Sequence, residues 1–260
     1  MKIEYAISLW NYDHYAEAAS LEDVLGRIRS LGYGVELWGW WRGERYLYGV
    51  AQRAEVQAAL GSMPVSLHSS IVRSLPEHRA QIDAAHDLGA GVLVVHSDEF
   101  FAGDQGQLDV GLCREVVAYA AQRGVRIALE NGQLPFLEQA LAAVDGLKIC
   151  LDVGHVYFTS EPMAAYLSAL KTHIVHLHLQ DILTPAEIDL PNRGRDHYTP
   201  GTGGIPAEDW QLLVATLREI DFEGSAVFEI RPRNPYQTAY QGSRFFDSLL
   251  GVGPMAVRGY

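Results

Sequence analysis

Residues 125–152 read VRIALENGQLPFLEQALAAVDGLKICLD, and this stretch decides how the rest of the chain is read. Val125–Glu130 is a short apolar run of strand-forming residues that ends on a carboxylate. Pro135–Val144 has helical spacing, with proline at its start. Lys148–Asp152 is a second short apolar run and again ends on a carboxylate. Two near-continuous apolar strands joined by a helix describe a βαβ unit, whose strands run parallel and are covered on both faces. A strand built only to be buried has no reason of its own to end on an acid.

The same unit repeats outward in both directions. Toward the N-terminus, strands are expected at Lys2–Leu9, Gly34–Trp38, Pro64–His68 and Gly91–His96. The helices between them are expected at Leu21–Leu31, Arg45–Leu60, Leu75–Leu88 and about Leu108–Arg123, with Ser20 as the first N-cap. Toward the C-terminus follow a helix at Pro162–Thr172, a strand at Ile174–Leu179, and a Gly- and Pro-rich loop from Asp181 to Pro206. A helix at Ala207–Ile220, a strand at Ser225–Ile230 and a helix at about Pro235–Leu250 complete the series. Gly-containing turns precede several strands, at Gly32, Gly89, Gly124 and Gly224. Eight strand–helix units in one chain of 260 residues predict a single α/β domain over residues 1–260, a closed (β/α)8 TIM barrel. An open doubly wound sheet would need a glycine-rich phosphate loop after the first strand. That segment is SLWNYDHY, without a glycine.

In a parallel barrel every strand's C-terminal end faces one rim, where active sites lie. Six expected strands end on His68, His96, Glu130, Asp152, His178 and Glu229. Such a set offers mixed oxygen and nitrogen ligands to a divalent cation; manganese, magnesium, cobalt and zinc all suit it. Uncompensated carboxylates crowded at one mouth repel each other, and a cation removes that conflict. Bulk composition narrows the alternatives. The net charge is −12 and lysine occurs only at positions 2, 148 and 171, which argues against a nucleic-acid partner. No apolar run approaches the ~20 residues of a membrane span, and the N-terminus does not read as a secretory signal. The two cysteines, Cys113 and Cys150, read as core residues, and a cytoplasmic location is the expectation. A homo-oligomer is compatible with the chain.

With these motifs in place, the chain resembles the xylose-isomerase-like TIM-barrel superfamily of sugar isomerases, ketose 3-epimerases, inosose-processing enzymes and zinc-dependent apurinic-site endonucleases. LDVGHVYF (residues 151–158) resembles its Asp-x-x-His element, HLHLQD (176–181) its seventh strand, and HYTPGTGGIP (197–206) the loop that follows. ALENG and VFEIRP carry the matching glutamates. The resemblance implies that Glu130, Asp152, His178 and Glu229 hold the metal. It also implies a sugar or sugar-derivative substrate whose carbonyl and adjacent hydroxyl chelate that metal, so that an enediolate is stabilised. Glu130 and Glu229 would then transfer protons, and His155 would hydrogen-bond a substrate oxygen. His68, His96 and His197 are expected either to line the pocket or to hold further metal, as in the endonucleases. A third metal there needs an aspartate two residues before His197, where this chain has Arg195, with Asp196 next to it.

Aromatic and charged side chains near the rim suit a sugar. Trp10 and Trp38 are expected to face its apolar C–H surfaces, while at least one of Trp38, Trp40 and Trp41 packs between barrel and helix. Glu36 is expected to orient a substrate hydroxyl or a histidine, or to pair with a neighbouring strand. Arg231 is placed to meet a substrate phosphate or carboxylate, or to form a rim ion pair. The ketose 3-epimerases carry an arginine six positions after the metal histidine; here that position is Thr184, with Arg193, Arg195 or Arg231 as substitutes.

Overall fold

A computed structural model describes residues 1–103, 106–183, 194–231 and 234–251. Its strands, in chain order, begin with β1 (Lys2–Ser8), β2 (Gly34–Leu37), β3 (Trp40–Trp41), β4 (Arg45–Tyr46), β5 (Val65–His68) and β6 (Val92–Val95). They continue with β7 (Phe101–Ala102), β8 (Gln107–Leu108), β9 (Arg126–Glu130), β10 (Lys148–Asp152), β11 (Ile174–Leu179) and β12 (Glu223–Phe228). The short strands β3 and β4 form one hairpin and β7 and β8 another; the other eight run parallel and close into a barrel. β1 pairs with β12 as well as with β2, and this closes the ring. Helices α1 (Leu21–Ser30), α2 (Val50–Leu60), α3 (Leu75–Leu88), α4 (Val110–Gln122), α5 (Leu134–Ala143), α6 (Met163–Leu170), α7 (Ala207–Glu219) and α8 (Pro235–Leu249) follow the barrel strands in turn. The expected (β/α)8 architecture is therefore present. Of the single domain expected over 1–260, residues 252–260 lie outside the described set.

Successive side chains of a strand point to opposite faces, and the chain exploits this. Leu37, Leu67, Leu93, Leu129, Leu151, Leu177 and Phe228 point outward into one apolar core under the helices, and each is fully buried. Their immediate neighbours Glu36, Ser66, His68, Val94, Ala128, Glu130, Cys150, Asp152, His176 and His178 point inward and are buried too. A small inner cluster of Val92, Val94, Ala128 and Cys150 fills part of the barrel interior. Both cysteines are buried and free.

Local signals explain most element boundaries. Ser20 Oγ accepts from the Asp23 amide and caps α1 as expected. Gly32, Gly89 and Gly124 have φ of 75°, 80° and 70°, as turn glycines should. Gly224 does not serve such a turn. It lies inside β12, where a Cβ would stand 2.4 Å from the Val175 carbonyl oxygen. The turn before β12 is made by Asp221, with φ of 48°.

The helix expected at Arg45–Leu60 is shorter than its spacing suggests. It starts at Val50, and the β3–β4 hairpin occupies the residues before it. Trp40 and Tyr46 pair across that hairpin with ring centroids 5.0 Å apart. The β7–β8 hairpin has no counterpart among the expected elements. Leu9 belongs to a 3-10 turn, Leu9–His14, rather than to β1. The α4 helix starts two residues late because the Asp109 side chain caps it, accepting from the Leu112 amide.

Candidate metal centre

Glu130, Asp152 and His178 lie at the C-terminal ends of β9, β10 and β11, and Glu229 follows β12 by one residue. Barrel closure brings them together at the C-terminal mouth. One ligand atom from each lies within 4.8 Å of the others. His178 Nδ1 faces Glu229 Oε2 at 3.2 Å, Glu130 Oε1 at 3.4 Å and Asp152 Oδ2 at 3.8 Å. All four residues are at most 5 % exposed, too deep for water to compensate their charge.

The backbone around these ligands is fixed by side chains that the sequence did not single out. Asn131 accepts from the Asp152 amide and donates to its carbonyl, which ties β9 to β10. Gln180 Nε2 donates to both Asp152 oxygens, at 2.9 and 2.7 Å, and Gln180 Oε1 accepts from the His197 amide. Asn11 brackets Glu229, donating to the Phe228 carbonyl and accepting from the Ile230 amide. Asn131 and Gln180 each stand one residue beyond a strand end, the one local signal that marks them. Asp181 accepts from the amides of Ile182, Gly201 and Ile205 and so anchors the glycine-rich loop. Gly203 is required there, since a Cβ would stand 2.3 Å from the Ile182 carbonyl oxygen.

Three other histidines at the mouth surround the same carboxylates. His96 Nε2 and His68 Nε2 lie 3.0 and 3.5 Å from Glu130 Oε2. His155 Nδ1 lies 3.2 Å from Glu130 Oε1 and 3.3 Å from Asp152 Oδ2. Burial pushes a carboxyl pKa up, but His96, His155, His178 and His68 hold Glu130 well below its usual value. Glu229 is likewise held at about 2, chiefly by His178 against the effect of burial. Asp152 goes the other way, raised by burial. Burial opposes charge on His68 and His155, yet the carboxylates bring them to about 9 and about 10.

Among the described residues four further clusters have metal-ligand proximity: His68–His96–Glu130, His155–Asp196–His197, His68–His178–Glu229 and Cys150–His176–His178; the first two share neither His178 nor Glu229 with the main set. Arg195 does occupy the position expected for an aspartate, but Asp196 reaches the histidines, with Oδ2 3.5 Å from His197 Nε2. Glu99, almost wholly buried, fixes the loops that carry His68 and His96. It accepts from the His96 and Val72 amides and from Ser69 Oγ.

The remaining expected residues divide. Trp38 packs at 5.0 Å on His68, and Trp10 at 4.4 Å on His197, so both line the mouth. Trp41 is buried in the core against Tyr12, as expected of one of the three tryptophans. Arg231 pairs with Asp196 at 3.1 Å and lies over the Trp10 ring. Glu36 has no exposure at all; its carboxylate faces His176 and His178, so it does not reach a substrate hydroxyl. Thr184 and Arg193 lie outside the described residues.

A divalent cation fits this donor set. Among the described residues, His178 Nδ1 and Glu130 Oε1 are buried without a hydrogen-bond partner. They point at the same space as two more carboxylates. A parallel eight-stranded barrel with oxygen and nitrogen ligands gathered at its C-terminal mouth defines the class of protein. The chain belongs to the xylose isomerase-like TIM barrel family, whose model matches residues 28–249. No curated protein matches the sequence. Among solved structures, an IOLI protein with a binding zinc atom is similar at 16 % identity and a TM-score of 0.73, covering 98 % of this chain and 100 % of that one. The TTHB071 protein from Thermus thermophilus, soaked with zinc chloride, has 23 % identity and a TM-score of 0.66, over 98 % and 100 % of the two chains. A D-tagatose 3-epimerase-like protein has 16 % identity and a TM-score of 0.68, over 96 % and 97 %. At these identities the likeness concerns the fold.

Proposed function

We propose that this protein is a divalent-metal-dependent isomerase or epimerase of a sugar or sugar derivative. The observation that carries the reading is the single imidazole nitrogen, His178 Nδ1, faced by three buried carboxylates at the barrel mouth. Glu130, Asp152, His178 and Glu229 would hold the ion. When bound, it supplies Lewis acidity toward a carbonyl and its neighbouring hydroxyl, with manganese, cobalt, magnesium and zinc all compatible.

The protein's own groups account for the proton transfers. Glu130 ends β9 and Glu229 follows β12, with β10 and β11 between those strands, and both carboxylates reach His178 Nδ1, at 3.4 and 3.2 Å. Both are held ionised at neutral pH, which makes them proton acceptors. His155, kept protonated by Asp152 and Glu130, can donate to a substrate oxygen. A cavity of about 250 Å³ opens beside these groups, lined by His96, Phe101, Glu130, Asn131 and His155 among others. That is below the ~300–1,000 Å³ common for ligand pockets and suits a monosaccharide-sized molecule. Within the cavity His96 supplies a hydrogen-bonding group and Phe101 an apolar face for it.

One observation favours a second reading, a zinc phosphodiesterase acting on abasic DNA: the clusters His68–His96–Glu130 and His155–Asp196–His197 beside the main one. The net charge of −12 and the Arg231–Asp196 pair weigh against it. Metal analysis of purified protein, with a sugar panel followed by solvent deuterium incorporation, separates the two. The expected result is one tight metal per chain and exchange at a carbon beside a carbonyl. Two or three zinc ions per chain, incision of an abasic duplex and no exchange would replace the first reading with the second.

A further inference from the structure

We infer that Glu36, at the closed floor of the metal centre, is a positioning residue that selects which nitrogen of His178 faces the cation. The inference rests on His178 being a metal ligand. Glu36 lies on β2, across the barrel from β11. Its Oε1 is 3.2 Å from His178 Nε2 and its Oε2 2.9 Å from His176 Nε2, with Ser66 Oγ donating to Oε2 at 3.3 Å. Glu36, His176 and His178 have no exposure.

An imidazole that gives one nitrogen's lone pair to a metal carries its proton on the other nitrogen. In this barrel the upper nitrogen, Nδ1, meets the three mouth carboxylates, so the proton belongs on Nε2, which faces Glu36 Oε1 at 3.2 Å. A carboxylate there fixes the tautomer, holds the ring plane and makes Nδ1 a stronger donor. Among the described residues Glu36 Oε1 and His178 Nε2 are both buried and neither makes a hydrogen bond to a third group, which leaves each as the polar partner at hand for the other. Glu36 places a fourth carboxylate in the interior that already holds Glu130, Asp152 and Glu229. Among the described residues no lysine or arginine pairs with it; its partners are His176 and His178, so its charge is committed to the two histidines at the floor of the site.

Metal affinity, unlike fold stability, separates a positioning role from a plain structural one. The test is Zn²⁺ affinity per folded molecule by chelator competition, for the parent and Glu36→Gln. Glutamine keeps the shape and removes the charge. Expected are a roughly 10- to 100-fold weaker Zn²⁺ affinity and a shifted visible spectrum of the Co²⁺-loaded form. Unchanged Zn²⁺ affinity and Co²⁺ spectrum would overturn the inference, with or without a fall in stability. Glu36→Asp withdraws the carboxylate by one methylene while keeping its charge, and it carries the test if Glu36→Gln does not fold. It should also weaken Zn²⁺ binding, and parent-like binding would again overturn the inference. Failure of the parent itself to bind any divalent cation would instead remove the function proposed above.

Discussion

The outward and inward faces of the barrel strands are built on opposite rules. Outward, at Leu67, Leu93, Leu129, Leu151 and Leu177, one residue type repeats, and each copy is buried in a single continuous core. Inward, one residue along at His68, Val94, Glu130, Asp152 and His178, side chains change character from strand to strand, and the charged ones cluster at one end. The outer face is redundant and sets stability through area and packing. The inner mouth is specific: it gathers carboxylates and histidines of opposite charge in one buried place, where each depends on its partners. A strand with period two can carry both programmes at once, since adjacent residues never share a face.

This contrast predicts that changes one residue apart have different consequences. The largest effect should come from the inner face. Glu229→Gln and Glu130→Gln are each expected to lower turnover of a confirmed sugar, per folded molecule, by about 10²–10⁴-fold. Turnover equal to the parent's would break the proposal and the contrast together. On the outer face, Leu151→Ala should cost roughly 2–5 kcal/mol of unfolding free energy. Its metal affinity per folded molecule should stay at the parent's value, although Leu151 adjoins Asp152. Urea unfolding paired with metal titration measures both.

Removing the metal should expose what the inner face costs. Chelation is expected to lower stability by about 2.7 kcal/mol relative to protein held at 100 times the metal's Kd. In Glu130→Gln the difference should shrink, as read by melting with and without chelator.

The smallest effect concerns a buried histidine away from the mouth, with Glu99 Oε2 3.9 Å from its Nδ1. His78 stacks on Phe100 with centroids 5.2 Å apart, and burial pushes its pKa down to about 4. An unfolded histidine titrates near 6.5. Above that pH both states are neutral and His78 contributes nothing. As pH falls from about 6.5 toward 4 the unfolded chain takes up the proton first, so stability is lost, by roughly 2 kcal/mol. Unfolding at pH 7.5 and 4.5 should show a smaller acid-induced loss in His78→Leu than in the parent.

The metal-ligand candidates are legible in the sequence because each interrupts a local rule: an apolar strand stops on a chelating side chain. Eight such strands at βα spacing leave few architectures open, so the closed barrel is legible as well. The helix at Arg45–Leu60 is misleading for an equally local reason. Its helical spacing continues into Arg45 and Tyr46, yet those residues find a better partner in Trp40 and Trp41 across a tight turn. Gly224 reads as a turn residue, but its smallness answers to the Val175 carbonyl on another strand. Asn131 and Gln180 are marked only by standing just past a strand end, and Asn11 and Glu99 by nothing local; their hydrogen bonds reveal that they hold the mouth residues in place.

The alternation of strands and helices, and the kinds of atom that would meet at the mouth, follow from the sequence by itself. Both are set by periodicity and side-chain type along a few residues. Which atoms meet is decided by the closed barrel. Glu36 and His176 are 140 positions apart, and no local pattern relates them. Closure through the β1–β12 pairing puts them 2.9 Å apart beneath His178. Of the roles open to Glu36 in the sequence, it is the one beside a histidine that closure brings about. Burial supplies the reason: a carboxylate sealed from water must find its hydrogen bonds on whatever strand the fold sets opposite it.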